Sequence, residues 1–422
     1  MSHPLVHQQI CRHYDQLLKW YDNKSAQFPY PIYSSYDVRD AGFKLGIVDA
    51  NIFPAGFNNI CSTDLEEGPE LFKNYLTKHY IPKPQRILLV TEEHTQNSFY
   101  WENVLTIKQL LEGADCQVMV AIARELSEPL VVESASGKKV TVHSAFLNNP
   151  MVKEFNPDLI VSNNDFSESK EFWAKGIQIP INPPRELGWY QRRKSNFFHY
   201  YNLLVKEFCA ITELDPFLLQ VQTEEFTDFD ITNDESVERV AQRVDLMIEN
   251  LKSEYAKRGI NQTPFIYVKN NSGTYGLAVL KVDSGADFKS LNYKSRKKMK
   301  AAKGGREVEE VVIQEGIPSV VKTSEGATAE PVIYMVGCRL AGGFFRSHQE
   351  KSESESLNSP GAIYKRMCIA DLAIRLSECP YENVYGWAAK LALLAIAHEA
   401  KQLQVDFKNY HLTSCSSETV PV

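Results

Sequence analysis

Long apolar stretches are missing from this sequence: the longest near-apolar runs, Arg86–Thr91 and 387–397, fall well short of the ~20 residues that a membrane helix needs. No charged-then-apolar leader opens the chain, so a cytoplasmic location is the expectation. Positive charge is not in excess either. With 46 Lys and Arg against 53 Asp and Glu the formal net charge is −7, which excludes a nucleic-acid-scale basic surface, because phosphate-backbone binding is driven by clustered Lys and Arg. The eight cysteines (Cys11, Cys61, Cys116, Cys209, Cys338, Cys368, Cys379, Cys415) form no CxxC pair and no Cys/His cluster at metal-ligand spacing. They are expected to be reduced thiols, mostly buried. No Ser/His/Asp or Cys/His nucleophile constellation and no internal repeat is visible. What the chain does have is material for a core: 422 residues, 43% hydrophobic and 11% aromatic, enough for two or three domains or one large α/β unit.

Apolar positions at helical spacing (Leu5, Ile10, Leu17, Leu18) predict a lead-in helix, ended by a Tyr/Pro-rich crossing over 28–33. From about residue 85, short apolar runs (Arg86–Thr91, 116–122, 158–162) alternate with helical stretches such as 100–112. That pattern predicts an α/β fold with a parallel sheet, whose functional groups gather where strands end, at 91–97 and 163–165. A long helix is predicted over Asp234–Lys257, capped by Asn233, with Val237, Val240, Val244, Met247, Ile248 and Leu251 on its buried stripe. Strands follow at 264–269, 277–282, 308–314 and 331–339, with a Lys/Arg-rich helical segment between the second and third. Helices at 362–376 and 384–402 close the chain, a polar stretch at 349–356 reads as a mobile loop, and 410–422 reads as a frayed tail. The corresponding division is 1–80, 81–190 and 191–422.

Four segments carry chemistry. In the stretch 36–59, if residues 45–51 form a strand, Asp49 and Asn51 point to one face. A carboxylate beside an amide carbonyl suits Mg²⁺, and equally suits a strand end whose Asp and Asn cap a turn. Residues 265–279 read as a strand ending in Lys269, a small-residue loop (Asn271, Ser272, Gly273, Thr274, Tyr275, Gly276) and a second strand. Gly273 and Gly276 would let backbone N–H groups approach an anion, with Lys269 as the point charge. A glycine-containing hairpin is also simply a hairpin, but a buried, unpaired ammonium at a strand end is costly and calls for a partner. At 311–318 an apolar strand breaks into a polar kink, where Gln314, Glu315 and Ile317 offer what an adenine ring and a ribose need; a plain strand-to-turn junction fits as well. Finally, 330–348 delivers Arg346 just past a turn at Gly342-Gly343. There a guanidinium could clamp a carboxylate or a transferring phosphoryl group, or be a surface Arg. The basic run 294–300, with Lys303 and Arg306, lacks interleaved aromatics beyond Tyr293 and reads as a solvated helix face, not a nucleic-acid site.

In this order, a Lys-ended strand, a glycine loop, a strand breaking at Gln314-Glu315-Gly316-Ile317 and a strand leading to Arg346 resemble the ATP-grasp nucleotide site. The acid-x-Asn pair lies upstream of them, which resembles the circularly permuted order of eukaryotic-type glutathione synthetases. More closely, the strings Asp37-Val38-Arg39-Asp40-Ala41-Gly42-Phe43-Lys44, Phe53-Pro54-Ala55-Gly56-Phe57-Asn58-Asn59, Glu93-His94-Thr95-Gln96-Asn97 and Gly188-Trp189-Tyr190-Gln191-Arg192-Arg193-Lys194-Ser195 resemble the proteobacterial glutamate–cysteine ligase family of ATP-grasp type, over about residues 33–399. The resemblance implies an α/β (α+β) ATP-grasp-like fold with an associated parallel-sheet substrate domain. It implies an ATP-dependent joining of the γ-carboxylate of glutamate to the amine of cysteine through an acyl phosphate. A glutathione-synthetase-like enzyme with another acceptor is the alternative. ATP and Mg²⁺ are the implied cofactors, with Asp49 and Asn51 on the metal, and Lys194, Lys269, the 271–276 loop, Gln314, Glu315 and Ile317 on the nucleotide. Arg39 and Arg346 would be the catalytic cations, and Arg39, Asn58, Asn59, Glu93, Asn97, Asn163 and Asn164 would bind substrate. Asn270, Asn271 and Ser272 stand where the permuted synthetases carry a metal-binding glutamate. The implied partners are small molecules, with neither nucleic acid nor membrane, and a homo-oligomer is left open.

Overall fold

The computed structural model describes residues 3–93, 96–273, 278–300, 307–374 and 382–415. Three sheets organise it. The central one is antiparallel, in the order Ile363–Met367, Arg339–His348, Thr328–Val336, Tyr33–Asp40, Leu45–Asn51. Of its two N-terminal strands, Tyr33–Asp40 thus lies beside a strand some 300 residues later, and cross-strand pairing sets Asp49 opposite Asp37 and Arg346 opposite Glu330. Beneath it runs the helix Val384–Gln402, buried along nearly its whole length. Its small residues, such as Ala388, Ala389 and Ala392, favour helix and allow close approach of its neighbours. Among them is the helix Lys194–Thr212. Arg192, just before that helix, pairs with Glu399 at 2.9 Å in the core.

The second sheet is also antiparallel, ordered Val279–Val282, Ile266–Asn270, Val311–Glu315, Thr223–Phe226. The amphipathic helix Asp234–Lys257 covers it, with Asn233 Oδ1 accepting from the N–H groups of Glu235 and Ser236 as predicted. Strand alternation decides what faces where. Ile266, Val268, Val311 and Ile313 join the core under the helix, which turns Tyr267, Lys269 and Gln314 to the opposite face. The third sheet runs Leu130–Glu133, Lys139–Ser144, Gln117–Ile122, Arg86–Thr91, Leu159–Asn163, Ile181–Asn182 and is parallel except at its first edge pair, in agreement with the expected βα alternation. No helix among the described residues is long and apolar enough to cross a membrane.

Four expectations are corrected. Residues 362–376 are not one helix: Ile363–Met367 is an edge strand paired with Arg339–His348, followed by a single 3₁₀ turn, Ile369–Leu372. The pairing edge offered by the neighbouring strand outweighs the local helical spacing. Gly342-Gly343 is not a turn but the middle of that neighbouring strand. The reversal comes earlier, at Gly337-Cys338, and Gly342 (φ +123°) sits at an irregularity where a Cβ would lie 2.5 Å from Ile60 Cγ2. Arg346 is accordingly a buried strand residue. The tail does not fray at 410: Tyr410 stacks on His79 at 4.5 Å, the N–H of His411 donates to the His79 carbonyl at 2.9 Å, and Cys415 is disulfide-bonded to Cys338. That bond also departs from the expectation of reduced thiols. Cys61, Cys116, Cys209 and Cys368 are free.

Candidate active site

The central sheet and the four-stranded sheet face each other across a cleft. Asp37, Arg39 and Asp49 line it from one side and Tyr267, Lys269 and Val279 from the other; Ile317, Glu330, Gly273 and Lys194 complete the walls. Behind the cleft the two sheets are tied by a buried ion pair. Lys44, in the turn between the first two strands, reaches Glu315 at 2.7 Å with both side chains almost fully excluded from water. Gly46, in the same hairpin, allows the closest approach: a Cβ there would meet Val221 and Ile317 within 2.7 Å.

Charge in the cleft is dense and largely compensated. Lys194 Nζ holds Asp49 Oδ1 at 2.5 Å and lies 4.5 Å from the Trp189 ring. Burial would raise the Asp49 carboxyl, but Lys194 and Lys269 outweigh it and hold the group below the usual carboxylate range. Lys269 Nζ donates to Gln314 Oε1 at 2.6 Å and to the Val48 carbonyl at 3.1 Å. Burial, with the nearby charges of Lys194 and Arg39, lowers it to about 8 despite the pull of Asp49. Arg346 Nη1 bridges Asp37 (2.6 Å) and Glu330 (2.8 Å). Arg39 pairs through Nε with Glu330 and donates to the carbonyls of Glu353 (2.9 Å) and Glu355 (2.8 Å). Tyr267 donates to the Ser354 carbonyl at 2.8 Å. The 349–356 stretch, expected as a mobile loop, is therefore fastened from both sheets, and the space left inside is about 70 Å³, against roughly 300–1,000 Å³ for ligand pockets.

The remaining predicted residues divide. Ile317 and Gly273 line the cleft, whereas Glu315 is taken up by Lys44 and by the N–H of Gln222 at 3.1 Å. Asn271 is fully buried. It accepts from the Ser195 N–H at 2.9 Å and donates to Glu225 at 2.7 Å, joining the strand end to the start of the helix that presents Lys194. Ser272 N–H caps back onto Asn270 Oδ1 at 3.1 Å. Thr274, Tyr275 and Gly276, like His94 and Thr95, lie outside the described residues. Asn51 Oδ1 accepts from the Phe53 N–H at 3.0 Å, which is the turn-capping fate. Asn58 and Asn59 stand on the 3₁₀ turn Phe57–Asn59, Asn97 caps the helix Ser98–Gly113, and Glu93 pairs with Lys170 at 2.9 Å. Asn163 donates to the Pro54 carbonyl at 2.9 Å and Asn164 to that of Thr91 at 3.1 Å. This second group gathers at the ends of the parallel strands, around the 53–59 segment that continues from Asn51, and not in the cleft.

Sequence reasoning missed Asp37, Glu330, Lys44 and Tyr267. Asp37 and Arg39 share a strand face by spacing, a signal that was present. Glu330 is brought in only by strand pairing, which no local pattern reveals.

The glutamate-cysteine ligase (GshA) family model matches residues 7–400. The chain belongs to that family. It is therefore an enzyme, a ligase of the glutamate–cysteine type, which places it in glutathione biosynthesis. The solved structure of "Putative gamma-glutamylcysteine synthetase from Methylobacillus flagellatus KT" is similar to it, with 30% identity, a TM-score of 0.83, and coverage of 95% of this chain and 98% of that one. D-alanyl-alanine synthetase A from Vibrio cholerae aligns over 76% of this chain and 81% of its own at 12% identity, and its TM-score of 0.31 carries no argument about the fold. No curated protein sequence matches.

Proposed function

We propose that the cleft binds ATP, that glutamate is phosphorylated there on its γ-carboxylate, and that the amine of cysteine displaces phosphate to give γ-glutamylcysteine. The observation that carries this reading is the gathering of buried Lys269 and Lys194 beside the carboxylates of Asp49, Asp37 and Glu330 in a cleft whose described lining holds no cysteine or histidine. Phosphoryl transfer calls for positioning and charge neutralisation, not a covalent protein intermediate. The ATP-grasp type, the permuted strand order and the threefold division of the chain belong to this same reading.

The carboxylate oxygens of Asp49, Asp37 and Glu330 are hard donors of the kind Mg²⁺ takes alongside waters and substrate phosphates, so the donor set fits. Asp49 would hold the ion with Asn51, Asp37 or Glu330, and the ion would supply charge neutralisation. Lys269 and Lys194 hold phosphate oxygens, Ile317 and Val279 pack an adenine, and Arg39 or Arg346 clamps the acyl phosphate. Nucleotide entry requires the bonds from Arg39 and Tyr267 to the 353–355 backbone to part. Asn58, Asn59, Glu93, Asn97, Asn163 and Asn164 lie at the strand ends where amino-acid portions of the substrates would be read.

Phosphate release from ATP tests the reading, measured with glutamate alone, with glutamate plus cysteine, and with γ-glutamylcysteine plus glycine, the product being identified by mass. Release that depends on glutamate and cysteine is expected; dependence on γ-glutamylcysteine and glycine instead would assign a different carboxylate donor as well as a different acceptor.

Two further outcomes follow from the geometry. Asp49→Ala is expected to lower turnover by about 10²-fold, the scale for removing one preorganised electrostatic group, and to raise the Mg²⁺ needed for half-maximal rate. Asn51→Ala should do so less, because its oxygen already serves the Phe53 N–H. Mg²⁺ activation curves for the two variants check this, and a near-normal Asp49→Ala rate at low Mg²⁺ removes Asp49 from the site. Nucleotide affinity should also fall as pH rises through about 8, because Lys269 is lowered to about 8 and binds phosphate only when protonated. Bound phosphate raises that value, so binding takes up a proton near pH 8 and affinity drops by up to roughly tenfold per pH unit above it. Titration calorimetry at pH 7 and 9 in buffers of different ionisation enthalpy reads both effects; Lys269→Arg should flatten them.

A further inference from the structure

Cys61 and Cys368 are 307 residues apart in the chain, yet their Sγ atoms lie 2.6 Å from each other. Cys61 is the N-cap of the 18-residue helix Ser62–His79 and is 4% exposed. Cys368 follows the edge strand Ile363–Met367, is partly exposed, and accepts from Arg366 Nε at 2.9 Å. Burial raises both sulfurs, but hydrogen bonds from Cys368 and from the helix N–H groups of Thr63 and Asp64 bring Cys61 below the ordinary thiol range while Cys368 stays above it, so Cys61 is the sulfur that first gives up its proton. Asp64 completes a triad of possible metal ligands. A tetrahedral zinc site, however, holds its sulfurs roughly 3.8 Å apart, given Zn–S distances of about 2.3 Å, and Asp64 Oδ2 already accepts from the Ile369 N–H at 3.0 Å. The geometry favours sulfur–sulfur bonding over metal capture.

We propose that Cys61 and Cys368 form a dithiol site that is oxidised to an intramolecular disulfide by low-molecular-weight aliphatic disulfides such as cystine. The accessible Cys368 sulfur, passing its proton to the Cys61 thiolate, attacks one sulfur of the incoming disulfide, forming a mixed disulfide and expelling a thiolate that leaves as the thiol with that proton. Cys61, as the thiolate, then attacks the Cys368 sulfur and releases the second. Two protein thiols lose two electrons and two protons, and one small disulfide becomes two thiols. The new bond staples the segment carrying Asn58 and Asn59 to the strand that pairs with Arg346's strand. It does not depend on the reading of the ATP cleft.

The test incubates the intact chain in cystine/cysteine mixtures, traps the remaining thiols with an alkylating agent and maps the peptides by mass. Two alkylatable thiols should be lost, with a Cys61–Cys368 cross-linked peptide that dithiothreitol reverses. Cys61→Ser should stop at a mixed disulfide of Cys368. Cys368→Ser should react at least about tenfold more slowly, its one remaining sulfur at this place being buried. Full alkylation of both thiols at every ratio, or a cross-link confined to other cysteines, would overturn the proposal. So would one equivalent of zinc that accompanies the wild-type chain and is lost in both variants.

Discussion

Lys269→Met is expected to lower kcat/KM for ATP by about 10²–10³-fold, the range seen when one preorganised charge-stabilising group is removed from an active site. The physical case rests on burial. Lys269 is 9% exposed, its partners in the free enzyme are the side-chain oxygen of Gln314 and the carbonyl of Val48, and burial depresses its basicity. A strand end that served only the fold would carry an apolar residue there at lower cost. The methionine variant should therefore fold at least as well as wild type while losing turnover. Steady-state kinetics beside a urea unfolding curve separates the two. A variant that unfolds more readily and keeps its kcat/KM would make Lys269 a structural residue.

The second large effect is on stability. Glu315→Gln should leave the Lys44 ammonium buried opposite a neutral group and destabilise the chain by about 3–5 kcal/mol, the usual consequence of breaking a buried ion pair from one side. Lys44→Met/Glu315→Leu, which removes both charges, should recover most of that loss. The pair joins the hairpin of the central sheet to the strand leading to Ile317, so the single variant should also weaken nucleotide binding and the double variant should restore it in part. Urea midpoints with unchanged m-values, measured for wild type, Lys44→Met, Glu315→Leu and the double variant beside Glu315→Gln, decide whether the pair acts as a unit. Additive losses in the double variant would mean that the two side chains are independent.

Elements with a strong local period were legible in the sequence. Asp234–Lys257 with its Asn233 cap, the strand Leu45–Asn51, the closing helix Val384–Gln402 and the parallel alternation from Arg86 onward all fall where spacing and turn chemistry place them. Legibility ended where non-local pairing took over. Ile363–Met367 is a strand because a neighbouring edge was open to it, and Gly342 stands at an irregularity inside a strand where Ile60 and Asp64 leave no room for a Cβ. The candidate site divides in the same way. Lys269 and Asp49 were visible as polar residues ending buried strands, whereas Glu330 and the clamp from Arg39 onto 353–355 depend on contacts across some 300 residues. Glu315 shows the limit of reading a motif by chemistry alone: a carboxylate suited to a ribose hydroxyl is engaged instead by a lysine 271 residues away.

The central claim is that the γ-carboxylate of glutamate is activated by its attack on the γ-phosphorus of the nucleotide, and not on the α-phosphorus or through a protein group. Glutamate carrying heavy oxygen in its γ-carboxylate tests this directly, with ATP, Mg²⁺ and cysteine present and the released phosphate and nucleotide examined by mass. Attack of that carboxylate on the γ-phosphorus, followed by displacement by cysteine, leaves one labelled oxygen in inorganic phosphate for each γ-glutamylcysteine formed. Unlabelled phosphate, or label recovered in AMP, would contradict the account.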